Sequence, residues 1–147
     1  MLAARLKGDF RDADDFHPPA NINKMSRGEP LDDKDRWTWL EAIAADIRDH
    51  TRPAPLVVAC SALKESHRDR LQLGNNPIVF LNGTREAIDQ RLSTRHGHFM
   101  PCGLLDSQLR ELEKPETAIE ISIADTPIRI VDQIVEALDA YDTHERL

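Results

Sequence analysis

The chain has 147 residues, which is enough for one domain with a single sizeable hydrophobic core. Apolar residues make up 40% and charged residues 31%, as in ordinary soluble globular proteins, and no apolar run approaches the roughly 18 residues of a membrane span. The net charge of −7 argues against nucleic acid or an anionic membrane as the main partner, whereas a nucleotide stays compatible because local basic groups can hold its phosphates.

The first part of the chain predicts two helices with a strand and a polar loop between them. Residues 1–6 resemble the last turns of a helix, and residues 9–12 form a weak, short strand pattern. Two prolines within residues 12–25 predict a loop there rather than a regular element. From residue 33 to residue 50 the apolar residues recur at helical spacing, and Asp32 is in position to cap that helix.

Strands alternate with helices along the rest of the chain. Two continuous apolar runs, at residues 55–60 and 78–81, have the length of strands buried on both faces of a parallel sheet. Residues 119–123 predict a last strand, and residues 85–95 and 127–141 predict amphipathic helices. This alternation predicts an α/β fold with three layers, α/β/α, around a mainly parallel sheet.

The loop at residues 12–25 combines three carboxylates with a histidine, an asparagine and a lysine. Carboxylates accept hydrogen bonds from hydroxyls, amides both donate and accept, and a cation balances an anionic group. The combination therefore suits a polyhydroxylated, negatively charged small molecule. A polar surface loop is the alternative interpretation.

Three motifs follow one another along nearly the whole chain. They are D-D-F-H-P at 14–18, C-S-A-L-K at 60–64 and R-H-G-H-F-M-P at 95–101. In this order they resemble the gluconokinases of the P-loop kinase superfamily. The resemblance implies phosphorylation of D-gluconate to 6-phospho-D-gluconate with ATP and Mg²⁺. It also implies a five-stranded sheet with the phosphate-binding strand in the middle, and a lid over about residues 95–106.

The phosphate-binding loop of that superfamily, G-x-x-x-x-G-K-[ST], does not occur in these residues, since no Gly-Lys dipeptide is present. The resemblance therefore implies one N-terminally truncated domain over 1–147 that lacks the first, central strand. We expect a gap between the strands at 55–60 and 78–81, and little activity from the chain by itself. A non-catalytic gluconate-binding remnant and a mis-assigned-start fragment of an active gluconokinase are the alternatives.

The resemblance implies a catalytic role for two carboxylates. Asp14 is the candidate for orienting or deprotonating the attacking hydroxyl, and Asp12 is the candidate outer-shell partner of Mg²⁺. An N-cap is the alternative role for Asp12. No direct metal ligand is predicted, because the nearby His96, His98 and Cys102 lack a common structural zinc spacing.

The substrate-binding candidates are basic and polar side chains from three parts of the sequence. Arg36 is the candidate for the carboxylate of the sugar acid. Ser61, Lys64 and Arg68 are candidates for the acceptor or the transferring phosphate, because ligands bind at the carboxyl edge of an open parallel sheet. For Lys64 and Arg68 the alternative is a charged helix start on a solvated face. The remaining substrate-binding candidates are His17, Asn21 and Lys24.

Two arginines are candidates for binding the phosphates of ATP. Arg91 and Arg95 lie beside or within the lid that the resemblance implies, and a surface salt bridge is the alternative for Arg91. His67 has no assigned role, because the family usually carries tyrosine there.

Location and assembly follow from composition and resemblance. Cys60 and Cys102 have no framework spacing, so we expect reduced thiols and a cytoplasmic protein. The resemblance also implies a homodimer, although no stretch of the sequence identifies a dimer face.

Overall fold

A computed structural model describes residues 1–94 and 105–145, with side chains as far as residue 141. The elements alternate between helices and strands, as the sequence predicts. In chain order they are α1 (Leu2–Arg5), β1 (Asp9–Asp12), a 3-10 turn (Ala13–Phe16), α2 (Pro19–Ser26), α3 (Asp33–Asp49), β2 (Leu56–Ala59), α4 (Glu65–Arg70), β3 (Val79–Asn82), α5 (Arg85–Ser93), α6 (Leu105–Glu111), β4 (Ile119–Ser122) and α7 (Pro127–Glu145).

The four strands form two parallel pairs. β1 pairs with β2, so that Asp12 stands opposite Ala59 at their carboxyl ends. β3 pairs with β4, so that Asn82 stands opposite Ser122. Within the described residues β2 and β3 do not pair with each other, which is where the sequence predicts a gap. The observed architecture is α/β with parallel strands, as expected.

Each pair of strands has its own hydrophobic core. The first core lies against α3, where Trp39, Leu40 and Ile43 are almost completely inaccessible. The second core lies against α7, where Ile130 and Ile134 pack near Ile121 of β4. The predicted apolar stripe of the last helix is thus confirmed as its packing face.

The short helix α1 connects the two cores. It contacts both strands of the first pair, while Leu2 packs against the second core. An ion pair between Arg5 and Asp132 of α7, 3.0 Å long, adds to this connection, although both side chains are largely exposed. Four residues of helix therefore contact both halves of the fold.

The prediction of a loop throughout residues 12–25 is wrong. Pro18 is the N-cap of α2 and Pro19 its first residue, a position that tolerates the missing amide hydrogen. Asp12 caps the preceding 3-10 turn, since its Oδ1 accepts a hydrogen bond of 3.1 Å from the Asp14 amide. The candidate site residues here consequently lie on fixed helical turns.

The strands are also less buried than the sequence predicts. Leu56, Val57 and Val58 of β2 are half-buried rather than fully buried, and Leu81 of β3 is 51% exposed. The physical reason is that each strand has a single strand neighbour in the described part of the chain. The sequence analysis offers a helix start near Lys64 only as an alternative, which α4 confirms, and it does not predict α6.

No helix among the described residues is both long enough and apolar enough to cross a membrane.

Candidate functional site

The start of α3 and the end of α2 are tied together by charged side chains. Asp32 and Asp35 form a capping box, in which each carboxylate accepts a hydrogen bond from the backbone of the other residue. The Asp35 carboxylate also accepts a hydrogen bond of 2.5 Å from Lys24 Nζ. This contact raises the pKa of Lys24 and lowers the pKa of Asp35. Lys24 is therefore a fixed cation beside the cap of α3.

His17 is buried against α3. Its ring stacks on Trp39 with 4.4 Å between the ring centroids, and Trp39 Nε1 donates a hydrogen bond of 2.6 Å to the carbonyl of Ala13. Asn21 Nδ2 lies 3.4 Å from His17 Nδ1 and donates to the carbonyl of Asp35 at 2.9 Å. Burial, followed by the nearby Arg36 charge, lowers the pKa of His17 to about 4. His17 is thus a neutral hydrogen-bonding group at physiological pH.

Asp14 lies beside this histidine. The 3-10 turn that follows β1 places its carboxylate 3.9 Å from His17 Nε2, and the side chain is half-buried. Asp12 precedes it at the carboxyl edge of the β1–β2 pair. The two candidate catalytic carboxylates are therefore adjacent, at the edge where open parallel sheets bind ligands.

Lys64 and His67 meet at one carboxylate of α3. Lys64 Nζ donates to Asp33 Oδ1 at 2.7 Å, and His67 Nε2 lies 3.2 Å from the same oxygen. His67 is completely buried, and its Nδ1 faces the Lys64 amide at 3.5 Å. Burial lowers the pKa of His67 more than its contact with Asp33 raises it. A neutral ring with its proton on Nε2 satisfies both contacts.

Arg36 is a buried cation with few partners. The residue is 6% exposed, and its Nη2 lies 3.4 Å from Glu111 Oε2 at the end of α6. Its Nε is buried and has no hydrogen-bond partner among the described residues. A buried, incompletely paired guanidinium is costly, so native structures rarely keep one unless another group binds there. Arg36 is the strongest sign of a ligand site in the described structure.

Arg36 acts electrostatically on the groups around it. Its charge contributes to the lowered pKa of His17 and of His67. The pKa of Lys64 is raised chiefly by the hydrogen bond to Asp33, and the Arg36 charge opposes that shift. Arg36 therefore lies between the residues that follow β1 and those that follow β2. Asn21 and Lys24 join this group through their contacts with Asp35, the residue before Arg36. We call the sequence-predicted candidates that are connected in this way the cluster: Asp12, Asp14, His17, Asn21, Lys24, Arg36 and Lys64.

The other candidates have different surroundings. Arg68 donates to the carbonyls of Ala62 and Leu63 at 3.2 and 3.0 Å, which fixes the segment between Ser61 and Lys64. Ser61 itself is exposed. These contacts give Arg68 a structural task that the sequence did not reveal.

Arg91 lies in the other half of the fold. Its guanidinium donates to the carbonyls of Ile123 and Asp125, after β4. Arg95 and nearly all of the predicted lid at 95–106 lie outside the described residues, as do His96, His98 and Cys102. The described residues contain no group of three or more His, Cys, Asp or Glu arranged to hold a metal ion.

Sequence reasoning missed three residues that contact the cluster. The sequence analysis assigns no site role to Asp33, and it leaves His67 without a role because of its residue type. Glu111 lies 75 residues from Arg36 in a helix that was not predicted. The one sequence signal for these residues is the spacing of Lys64 and His67, which are three residues apart and therefore adjacent on one turn of a helix.

Comparisons with known proteins identify relatives of the whole chain. A scan against protein-family models finds no match for the chain. The gluconokinase of Gluconobacter oxydans (strain 621H) is 40% identical over 148 aligned positions, which cover 96% of this chain and 83% of that protein. The thermoresistant gluconokinase of Escherichia coli (strain K12) is 38% identical, covering 93% of this chain and 82% of that protein.

Solved structures give the same result. A gluconokinase from Sinorhizobium meliloti 1021 superposes with a TM-score of 0.82 at 39% identity, covering 95% of this chain and 81% of that one. A sugar kinase from Janibacter sp. HTCC2649 superposes with a TM-score of 0.81 at 39% identity, covering 94% and 83%. Similarity of this extent, in sequence and in fold, shows that the chain belongs to the gluconokinase family of kinases.

Proposed function

We propose that the cluster around Arg36 is the gluconate-binding site of a gluconokinase. Such an enzyme transfers a phosphoryl group from ATP to D-gluconate and yields 6-phospho-D-gluconate. The observation that carries the proposal is Arg36, a buried guanidinium whose Nε has no partner in the described part of the chain. A sugar acid supplies the missing partner, since guanidinium groups bind carboxylates through paired hydrogen bonds. The names of the relatives point to the same substrate.

The neighbouring side chains suit the hydroxyls of such a ligand. Neutral His17 and the amide of Asn21 can donate to or accept from hydroxyl groups. Lys24 and Lys64 add positive charge on either side, each held by a carboxylate of α3. Asp14 would orient the attacking hydroxyl and accept its proton, and its position beside neutral His17 supports this role.

The nucleotide would bind on the open side of the same edge. ATP would supply the transferred phosphoryl group, and Mg²⁺ would neutralise its charge. Magnesium usually keeps several waters and uses only one or two carboxylates, which fits Asp12 as an outer-shell partner. Ser61 and Arg68 would lie toward the transferring phosphate, and Arg91 and Arg95 toward the remaining phosphates of ATP.

Calorimetric titration with gluconate tests the proposal. Arg36→Met keeps the apolar stem and removes the cation. We expect it to weaken gluconate binding by at least about tenfold, which corresponds to about 1.4 kcal/mol. Arg48→Met is the matched control, because Arg48 lies on the same helix but is exposed and pairs only weakly with its neighbour Asp49.

The control variant should bind gluconate as the wild type does. Thermal melts of all three proteins would show that each is folded. Gluconate affinity that is unchanged in Arg36→Met would contradict the proposal, and so would wild-type protein that binds no gluconate. A coupled assay on the same 147-residue samples should show little turnover, since the residues lack the phosphate-binding motif.

A further inference from the structure

The end of α6 places a carboxylate directly at the proposed substrate site. Glu111 is the last residue of that helix, and its Oε2 lies 3.4 Å from Arg36 Nη2. Its charge also helps to raise the pKa of Lys64, after the larger effect of Asp33. Glu111 therefore lies near two of the cations, Arg36 and Lys64, that the proposed function assigns to the sugar acid.

The Arg36–Glu111 contact is weak for an ion pair. Charge-assisted hydrogen bonds between nitrogen and oxygen are normally about 2.7–2.9 Å long. Only one guanidinium nitrogen takes part, and Nε remains without a partner among the described residues. A carboxylate at the C-terminal end of a helix is also disfavoured by the helix dipole. The side chain of Glu111 is 30% exposed, so it has a route into solvent.

Separate contacts hold this part of the chain in place. The amide of Glu113 donates to the carbonyl of Leu63 at 2.9 Å, and the carboxylate of Glu113 accepts from the amide of Glu65 at 2.6 Å. The end of α6 is thus anchored beside Lys64 without any contribution from Glu111. Loss of the Glu111 charge leaves these anchoring contacts intact.

We propose that Glu111 is a specificity-determining residue, a carboxylate that pairs with Arg36 and is displaced by the carboxylate of the substrate. This inference rests on the proposed function. Glu111 lowers the affinity for sugar acids, because their carboxylate must replace an existing partner and meets a like charge. An uncharged polyol of the same shape does not compete for Arg36, so its affinity does not depend on this exchange.

The test compares two ligands on four proteins by calorimetric titration at constant pH and ionic strength. The ligands are D-gluconate and sorbitol, the uncharged polyol in which a hydroxymethyl group replaces the carboxylate. The proteins are the wild type, Glu111→Gln and the control Glu120→Gln, which removes a carboxylate from an exposed ion pair with Lys114. Glu111→Ala is a second variant that removes the side chain altogether.

We expect Glu111→Gln and Glu111→Ala to bind gluconate about fivefold more tightly than the wild type, a gain typical of one partly exposed ion pair. Sorbitol binding should not change, and the control should behave as the wild type does. Gluconate affinity that is equal or lower in both variants would overturn the role of Glu111, as would an equal gain for sorbitol. If wild-type protein binds gluconate, either result leaves the proposed function standing. If neither wild type nor variants bind gluconate, both proposals fail together.

Discussion

Two buried histidines and a buried arginine share the region between α2, α3 and α4. His17 and His67 are both shifted toward the neutral form by burial, and the charge of Arg36 acts in the same direction. Keeping these rings neutral avoids three positive charges in one confined space.

The burial of His17 predicts a dependence of stability on pH. Its pKa is about 6.5 in an unfolded chain and about 4 in the folded protein. Between these values the unfolded state binds a proton that the folded state does not, so stability falls as the pH falls from 6.5 to 4. The shift corresponds to about 3 kcal/mol at most.

Urea unfolding at several pH values checks this expectation. His17→Gln should lose much less stability than the wild type between pH 6.5 and 4. Other groups, including His67, are common to both proteins, so the difference between the two slopes isolates His17. Parallel curves for the two proteins would show that His17 is not buried as described.

For single residues, the sequence identified several candidate site residues but did not reveal their contacts. The sequence makes Arg36 a candidate for the carboxylate of the sugar acid, but only the structure shows that its Nε lacks a partner in the described part of the chain. Asp33 contacts both Lys64 and His67, from which it is separated by 31 and 34 residues of sequence. Such long-range contacts depend on the packing of α4 against α3 and have no local pattern.

The elements show where local sequence signals were sufficient. The capping box of α3 and the apolar runs of the strands lie within a residue or two of their predicted positions. The pair of prolines misled the prediction, because Pro19 begins α2 instead of preventing it. The helices α4 and α6 are six and seven residues long, too short for a clear apolar period.

The turn between α1 and β1 leaves no room for a side chain at Gly8. A Cβ atom added at Gly8 would lie 2.2 Å from the carbonyl oxygen of Pro55. That oxygen accepts the hydrogen bond from the Asp9 amide that begins the β1–β2 pair. It cannot move away without breaking this contact, so glycine is required at this position for close approach of the backbone.

Gly8→Ala should therefore destabilise the protein by about 2–3 kcal/mol. Gly74→Ala is the control, because Gly74 has a φ of +57° but open space where its Cβ would lie. Backbone strain alone should make that change cost about 1 kcal/mol. Urea unfolding of both variants measures the difference. A loss for Gly8→Ala no larger than that for Gly74→Ala would contradict the close approach.

On the scale of the whole molecule, the cluster lies beside the β1–β2 pair, and the β3–β4 pair forms a separate half. The cluster draws on segments that follow β1 and β2 and on the start of α3, whereas α7 covers β3 and β4. The α/β class and the parallel strands were predictable from the alternation of apolar runs. The separation into two strand pairs was expected only from the family resemblance, since no residue pattern encodes which strands pair.

The central claim is that these dispersed segments form one gluconate site around Arg36. A titration of ¹⁵N-labelled protein with gluconate, followed by NMR, tests it most directly. The claim predicts a saturable shift of the Arg36 Nε–H signal together with the amides of Asp14, Asn21 and Lys64, while those of α7 stay unchanged. Shifts confined to α7 and the surroundings of Arg91, or no shift of the Arg36 signal at saturating gluconate, would contradict it.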